Sequence, residues 1–408
     1  TKYNGTMSEY ISWSETAWET QEERLAVDAK SAQLQIGLPK EHAMNEHRLL
    51  LTPESVQILV AQGHEIVVET GAGTLAGFPD ARYANAGATI ALGPEEVFQC
   101  AIIAKVAPPT AAEIAMMRGG QTLISALQLR TRNRDYFKSL ADKKITALAL
   151  EEVRNSEDQS ALRMAMSEIA GQMAARVGAS LLADGAHGSR KGKLMAPIPG
   201  VAPARVVVFG AGVAGLSAVR AAHGMGSQVV LMDSNINRLR AAQELNPALI
   251  TEVIQELVVA KRLKKADLVI GALYPVNGRT PVVVSEDAIA AMEPNSVIID
   301  ISIDSGGCFE SSELTSHENP TYEKHGVIHY CIPNMASAVG HTATIALSNF
   351  VAPMLSTLSE LGGVEDCLHY DLNMRAGLYL YKGLLTKRHL GEHFDLPFSN
   401  DALLFGNL

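Results

Sequence analysis

Residues 205–233 constrain the fold more than any other stretch, because they read as strand, glycine turn, helix and second strand without interruption. Arg205 to Phe209 is a β-branched apolar run, which is typical of a strand buried on both faces of a parallel sheet. Gln228 to Met232 is the second such run, and Asp233 follows it. Because parallel strands need a crossover connection, this unit predicts an α/β fold.

Glycines occupy the turn between the first strand and the helix, in the spacing GxGxxG. Gly210 permits the tight turn, Gly212 permits close approach of a phosphate, and Gly215 permits close packing of helix on strand. A diphosphate would rest on the amides at the helix N-terminus, at Val213 and Ala214. The glycine spacing alone is a weak signal that an ordinary loop also explains. The flanking strands and helix make it specific for a dinucleotide.

The acid that ends the second strand indicates which dinucleotide binds. Asp233 can accept hydrogen bonds from the hydroxyl groups of the adenosine ribose, whereas it would repel a 2′-phosphate. We therefore predict NAD(H) as the cofactor rather than NADP(H). The alternative is that Ser234 and Asn235 help the site to tolerate a phosphate.

Length and charge narrow the class of protein. A chain of 408 residues is too long for one compact core and predicts two domains. Its 33 glycines and 19% charged residues are typical of a folded α/β enzyme. A formal net charge of −10 argues against nucleic acid as a partner, because phosphate backbones bind basic surfaces. We expect a small-molecule substrate instead.

Cysteine spacing and hydropathy indicate the compartment. Scattered cysteines without ligand spacing predict buried thiols in a reducing compartment and no metal site. These cysteines are Cys100, Cys308, Cys331 and Cys367. The sequence has no apolar run of about 18 residues and no signal peptide, so we expect a cytoplasmic protein without a membrane segment.

Strand and helix patterns alternate from residue 34 onward. They predict two doubly wound parallel-sheet domains of the Rossmann type with a cleft between them. The predicted substrate domain is discontinuous, because helices near the C-terminus return to it. Its predicted boundaries are residues 34–160 and 341–408, and those of the NAD-binding domain are residues 161–340.

Residues 1–33 are predicted to be a helical N-terminal extension. Ile11, Trp18 and Leu25 recur every seven residues and would form one apolar stripe on a helix. Because tryptophans are seldom left in water, we expect this helix to dock on its own or a neighbouring subunit. The alternative is a solvated arm.

Several segments resemble alanine dehydrogenase, in a family that also includes the NAD(H)-binding domain of proton-translocating transhydrogenase. The resemblance covers residues 34 to about 398. It is carried by GLPKEHAMNEHRLLLTPESV, GHEIVVETGAG, MSEIAG, VVVFGAGVAG and the block from VIIDISIDSGGCFE to HYCIPNM. The resemblance implies reversible, NAD-dependent oxidative deamination of L-alanine to pyruvate and ammonium, with hydride transfer to C4 of the nicotinamide. It also implies a homo-oligomer, a hexamer or a dimer.

The same resemblance implies roles for single residues. Arg48 matches the arginine that binds the substrate carboxylate, a role that suits a guanidinium. Asp304 matches the aspartate that transfers protons beside the nicotinamide. Ser167 resembles the serine near the nicotinamide amide and diphosphate, and Asn334 and Met335 resemble the segment beside substrate and cofactor. Without the resemblance, Arg48 would be interpreted as a surface arginine and Ser167 as a helix-internal hydroxyl.

Two positions depart from the family pattern. Ala107, in KVAPP, stands where KVKEP has a substrate-binding lysine, and Gln128, in ALQL, stands where a histidine acts as acid and base. Glutamine cannot exchange a proton near neutral pH, so we expect Gln128 only to orient a reacting group while Asp304 transfers protons. Lys105 is predicted to replace the missing lysine, because it would lie one pleat away on the same strand face. The alternative is a structural role for Lys105.

These departures leave two other functions open. One is a transhydrogenase-like hydride carrier, which would be indicated if no amino acid reduces NAD. The other is a non-catalytic, NAD-binding regulatory protein, which would associate with a partner in the presence of NAD and show no turnover.

Overall fold

The computed structural model describes residues 31–43, 45–184, 191–274 and 278–405. The apolar stripe predicted for the N-terminal extension falls on residues outside these ranges.

Strands and helices alternate along the described chain, as the sequence pattern predicts. The strands, in chain order, are β1 (Gln35–Leu38), β2 (Glu65–Glu69), β3 (Thr89–Ala91), β4 (Ile102–Ala104), β5 (Thr122–Ser125), β6 (Thr146–Ala149), β7 (Arg205–Phe209), β8 (Gln228–Asp233), β9 (Ile250–Val253), β10 (Leu268–Gly271), β11 (Val297–Asp300), β12 (Thr321–Lys324), β13 (Val327–Tyr330), β14 (Leu378–Tyr381) and β15 (Leu384–Leu385).

The α-helices, in chain order, are α1 (Pro53–Ala61), α2 (Asp80–Asn85), α3 (Pro94–Val97), α4 (Ala111–Met116), α5 (Arg134–Asp142), α6 (Ala161–Asp184), α7 (Val213–Gly224), α8 (Ile236–Leu245), α9 (Glu256–Leu263), α10 (Glu286–Ala290), α11 (Gly340–Glu360), α12 (Val364–Tyr370), α13 (Leu372–Ala376), α14 (Arg388–Phe394) and α15 (Asp401–Phe405). Short 3₁₀ turns cover Thr74–Ala76, Leu129–Thr131, Leu150–Glu152, Ile301–Ser305 and Met335–Val339.

The first sheet has eight strands in the order β15-β14-β6-β5-β4-β1-β2-β3. Strands β1 to β6 pair in parallel, and β14 pairs antiparallel with β6. The chain therefore returns to the first sheet after it completes the second. The domain boundaries given above stay predictions.

The second sheet has seven strands in the order β12-β13-β11-β10-β7-β8-β9. Its pairing register places Val207 of β7 beside Val230 of β8 and Val269 of β10, and all three are buried. This central position explains why β7 is an unbroken apolar run. The strand order reverses direction at β7, and such switch points form ligand crevices at the carboxyl ends of strands. Together the two sheets and their helices confirm the predicted α/β fold class.

Both sheets have antiparallel edges that the sequence analysis does not predict. His325 (φ 56°) and Gly326 (φ 72°) connect β12 to β13, and Lys382 (φ 46°) and Gly383 (φ 86°) connect β14 to β15. Positive φ at both turn residues matches the twist of a two-residue hairpin. The predicted parallel sheets are thus mixed at their edges.

The long helix α11 packs against the core of the first sheet, where its Leu347, Val351 and Leu355 are buried. The hydroxyl oxygens of Thr344 and Ser348 on α11 accept hydrogen bonds from the amides of Leu49 (3.0 Å) and Thr52 (2.9 Å). Since α11 follows the second sheet in the chain, these bonds show that the chain returns to the first core before it forms β14.

No helix in the described ranges is long and apolar enough to cross a membrane. The described residues also contain no group of three or more His, Cys, Asp or Glu side chains that could hold a metal ion. All four cysteines are buried, free thiols, which agrees with the role predicted for them.

Candidate active site

A cavity of about 520 Å³ lies at the carboxyl edge of the second sheet, between the glycine turn and the first turns of α6. This volume suits a small-molecule site. Its other walls are the segments after β10, β11 and β13. The predicted site residues that line the cavity are Ser167, Gly212, Val213, Ala214, Asp304, Asn334 and Met335.

The glycine turn has a separate physical reason for each glycine. Gly210 has φ +104°, a left-handed conformation that favours glycine. A Cβ on Gly215 would overlap the carbonyl oxygen of Gly210, so only glycine permits this approach of α7 to the turn. A Cβ on Gly212 would meet no atom within 4 Å. Gly212 immediately precedes α7, so the empty space beside it lies at the N-terminus of this helix. The free backbone amides there can bind a diphosphate.

We expect Gly212→Ala to weaken NADH binding about tenfold while the melting temperature stays unchanged. The added methyl group has room in the fold, since the φ of −86° suits alanine, but it projects into the space that a phosphate needs. Calorimetric titration and thermal melting measure the two quantities. Gly224→Ala, at the end of the same helix and also free of clashes, is the control. Unchanged NADH affinity in Gly212→Ala would contradict this prediction.

Asp233 is buried at the end of β8 and braces the glycine turn. Its Oδ2 accepts a hydrogen bond from the amide of Ala211 (2.7 Å), and its Oδ1 accepts one from the amide of Asn235 (2.7 Å). Each carboxylate oxygen keeps a lone pair, so the group can also accept hydrogen bonds from a ribose. The Oδ1 atom of Asn235 caps α8 by accepting from the amides of Asn237 and Arg238, whereas its Nδ2 donors take no part in the cap, so tolerance of a phosphate stays an alternative.

Asp304 lies in the 3₁₀ turn after β11, on the cavity wall. Although the side chain is accessible from the cleft, protein atoms surround most of the carboxyl group, and this desolvation raises its pKa. The amide of Asn334, which donates to Oδ2 at 3.3 Å, and the positive charge of Arg48 act in the opposite direction. A carboxyl group with a raised pKa is suited to exchange protons nearer to neutral pH.

Arg48 is buried and bound to a carboxylate. Its Nε and Nη2 donate to Oε1 and Oε2 of Glu46 at 2.7 and 2.6 Å, which is a bidentate ion pair. Its Nη1 contacts only the thioether sulfur of Met166 (3.3 Å), a weak acceptor on the cavity wall. The guanidinium is thus oriented by Glu46 and keeps its Nη1 donors for a ligand.

Glu46 is a site residue that the sequence analysis misses. Its Oε2 also accepts a hydrogen bond from Nδ2 of Asn334 at 3.1 Å, so it connects the segment after β1 with the segment after β13. Asp304, Asn334, Glu46 and Arg48 therefore form one connected chain of polar groups. The signal for Glu46 in the sequence is its position two residues before Arg48, since such side chains share a face in extended backbone.

Lys105 is not placed where the sequence analysis expects it. Its Nζ lies 2.7 Å from Oε1 of Glu113 and 3.5 Å from Oε2 of Glu41, and its side chain is only 1% exposed. These carboxylates come from the segment after β1 and from α4, and they fix the direction of the Lys105 side chain. Lys105 is absent from the cavity lining, and its charge is neutralised by two carboxylates. The geometry supports the alternative, structural role.

Ala107 and Gln128 also lie apart from the residues that line the cavity. The amide of Ala107 donates to Oε2 of Glu41 at 3.3 Å, and burial raises the pKa of Glu41 to about 7 although Lys105 opposes this. Gln128 is exposed, has φ +44°, and its amide donates to Oε1 of Glu151 at 3.1 Å. This contact involves the backbone of Gln128. The orienting role of its side chain stays a prediction.

A dinucleotide turn on one wall of the cavity, with an aspartate on the wall and a buried guanidinium linked to it by hydrogen bonds, is typical of a dinucleotide-dependent oxidoreductase. Two family models match the chain: "Alanine dehydrogenase/PNT, N-terminal domain" over residues 37–170 and "Alanine dehydrogenase/PNT, C-terminal domain" over residues 174–388. The chain belongs to the alanine dehydrogenase/PNT family.

Individual relatives agree with this assignment. The chain is 38% identical over 369 residues to an alanine dehydrogenase of Mycolicibacterium smegmatis, which covers 90% of this chain and 98% of the relative. It is 39% identical over 353 residues to that of Bacillus subtilis, covering 86% and 92%. A solved L-alanine dehydrogenase structure is similar with a TM-score of 0.84 and 35% identity, covering 88% of this chain and 99% of the other. A transhydrogenase from Sinorhizobium meliloti has a TM-score of 0.74 and 27% identity, covering 87% and 99%.

Proposed function

We propose that this protein is an alanine dehydrogenase, which catalyses the reversible, NAD-dependent oxidative deamination of L-alanine to pyruvate and ammonium. The observation that carries the proposal is the connected chain of Asp304, Asn334, Glu46 and Arg48 beside a cavity with a dinucleotide turn. The hydride-carrier and regulatory alternatives are not favoured, because the relatives with 38% and 39% identity are alanine dehydrogenases that match over nearly their whole length, whereas the transhydrogenase structure is less similar, with 27% identity.

The residues around the glycine turn would hold the cofactor. The amides that follow Gly212, the hydroxyl of Ser167 and the carboxylate of Asp233 fit a diphosphate and an adenosine ribose, and Asn334 and Met335 lie at the nicotinamide end. When bound, the nicotinamide accepts a hydride from Cα of the amino acid.

Arg48 and Asp304 would carry the substrate side of the reaction. The free Nη1 of Arg48 binds the substrate carboxylate once the flexible side chain of Met166 rotates aside. Asp304 takes a proton from the ammonium group of alanine and releases it to solvent before Cα is oxidised. It then takes a proton from the water that adds to the iminium carbon and gives this proton to the nitrogen. The nitrogen leaves as ammonia, which is protonated to ammonium as the added hydroxyl group loses its proton and becomes the carbonyl of pyruvate. In the reverse reaction Asp304 must donate protons. Its raised pKa favours the protonated form that this donation needs.

The direct test is turnover. Purified protein with L-alanine and NAD should form NADH, and protein with pyruvate, ammonium and NADH should consume it. A panel of other amino acids and 2-oxo acids tests the side-chain preference. Binding of NADH without turnover of any of these substrates would sink the dehydrogenase proposal.

We expect tighter binding of NADH than of NADPH, and we expect Asp233→Ala to weaken NADH binding by about 1 kcal/mol or more. The carboxylate of Asp233 is fixed against the glycine turn and would accept hydrogen bonds from the ribose. Asp233→Asn keeps the shape and removes the charge, so its NADPH affinity should rise relative to NADH. Equal or tighter NADPH binding by the unaltered protein would contradict this choice of cofactor.

We also propose a homo-oligomer, as a hexamer or a dimer, in the cytoplasm. The support for the homo-oligomer is the resemblance of the sequence to alanine dehydrogenase.

A further inference from the structure

We infer that Arg163 is a further cofactor-positioning residue, whose guanidinium faces the diphosphate of the nicotinamide cofactor. The inference rests on the proposed function only in taking a nicotinamide dinucleotide as the ligand. It concerns the wall of the cavity formed by the first turns of α6.

Three residues at four-residue intervals place Arg163 relative to the glycine turn. Arg163, Ser167 and Gly171 lie on one face of α6, since a helix repeats its face every three to four residues. A Cβ on Gly171 would overlap the carbonyl oxygen of Ala214, so this face rests directly on the first turn of α7. Arg163 and Ser167 continue the same face into the cavity, which they line together with Gly212, Val213 and Ala214.

The guanidinium of Arg163 is held in place from both sides of the cleft. Its Nη1 donates to the hydroxyl of Tyr274 (2.7 Å), which follows β10, the strand beside β7. Its Nη2 donates to the carbonyl of Glu151 (2.9 Å) and to Oε1 of Glu152 (2.6 Å). These bonds use three of the five N–H groups of a guanidinium. The described contacts thus leave two donors, on Nε and Nη1, for a ligand in the cavity.

The charge balance at this wall favours an anion. The carboxylate of Glu152 pairs with both Arg163 and Arg154. The Nη2 atom of Arg154 lies 3.2 Å from Oε2 of Glu152, and Arg154 also lines the cavity. One carboxylate therefore pairs with two guanidiniums. The neighbouring Glu151 carboxyl group faces the amides of Leu127 and Gln128 instead, and burial raises its pKa. The side chains are 29% to 41% exposed, and such pairs stabilise a fold little. A bound diphosphate, by contrast, gains from the positive charge of the arginines as well as from the α7 N-terminus.

The test compares binding of ADP-ribose, which contains the diphosphate and no nicotinamide, with binding of NADH, by calorimetric titration at several salt concentrations. We expect Arg163→Gln to weaken both ligands about tenfold and to reduce the salt dependence of binding. Arg163→Lys, which keeps the charge, should recover part of the affinity. Glu152→Gln removes the competing carboxylate and should tighten ADP-ribose binding severalfold. Arg388→Gln, which breaks an exposed ion pair with Glu392 on α14, is the control and should change nothing.

Unchanged ADP-ribose affinity in Arg163→Gln would overturn the inference. The inference would also be overturned if Arg163→Gln and Glu152→Gln weakened ADP-ribose binding equally and both lowered the melting temperature. That result would show that the ion pair of Arg163 and Glu152 only stabilises the cavity wall. If Arg163→Gln changed only the KM for the amino acid, Arg163 would bind the substrate carboxylate and not the diphosphate. This result would also overturn the inference. Because ADP-ribose binding needs no turnover, loss of affinity in Arg163→Gln supports the inference even if alanine is not a substrate.

Discussion

Asp304→Asn should lower kcat for L-alanine deamination by about 10²- to 10⁴-fold, the usual cost of losing a positioned general acid/base. Asp304 carries the one carboxyl group among the residues that line the described cavity. The other two predicted catalytic groups do not replace it, since Lys105 is enclosed by Glu41 and Glu113 and the amide of Gln128 cannot exchange a proton. The asparagine side chain is nearly the same size and can still accept the hydrogen bond from the amide of Asn334. NADH affinity should therefore change little.

Steady-state kinetics with a parallel NADH titration measure the effect of Asp304→Asn. The exposed Asp287→Asn on α10 is the matched control and should behave as the unaltered protein. Because desolvation raises the pKa of Asp304 and deamination needs its basic form, activity on the acid side should fall at a higher pH than an ordinary aspartate would give. Full turnover in Asp304→Asn would refute the assigned role.

Arg48→Ala should raise the KM for alanine about 10- to 150-fold and lower the free energy of unfolding by about 3 to 5 kcal/mol. The first effect follows from losing the charge-assisted bonds to the substrate carboxylate. The second follows because Glu46, whose side chain is 2% exposed, would keep a buried carboxylate without its guanidinium. Hydrogen bonds from Asn334 and Ser337 would remain, but they carry no positive charge.

The double variant Glu46→Gln with Arg48→Met separates these two effects. It removes both charges and keeps most of the packed volume, so denaturant unfolding should recover most of the lost stability. The KM should stay high, because no guanidinium is present for the substrate. A KM that recovers together with stability would show that Arg48 supports the fold without contacting alanine.

The nucleotide unit is the part of the fold that local sequence predicts best. The strands predicted at residues 205–209 and 228–232 are observed with at most one residue added, and α7 begins at Val213 as predicted. The reason is that apolar runs and glycine positions are decided by neighbours within a few residues. The edge hairpins were missed, although their turns contain a glycine at the second position, because histidine and lysine at the first position are weak signals for positive φ.

The sequence predicts less of the candidate active site than of the nucleotide unit. The glycine spacing between two strands predicts that a dinucleotide binds, and single motifs indicate Arg48, Asp304 and Asn334 as residues of interest. Sequence alone does not show that Glu46 links them, since the hydrogen bond from Asn334 to Glu46 joins residues 288 positions apart. The contact between Arg48 and Met166 spans 118 positions. Only the packing of two sheets around α6 and α11 decides which of these side chains meet.

Lys105 shows most clearly what only the tertiary structure decides. Sequence places it two residues from Ala107 and suggests that it replaces a missing charge, but it cannot show which carboxylates surround it. The described structure encloses its ammonium between Glu41, which lies after β1, and Glu113, which lies on α4. A buried charge must be paired where it lies, so the position of its partners determines its role, and those partners come from other segments of the chain.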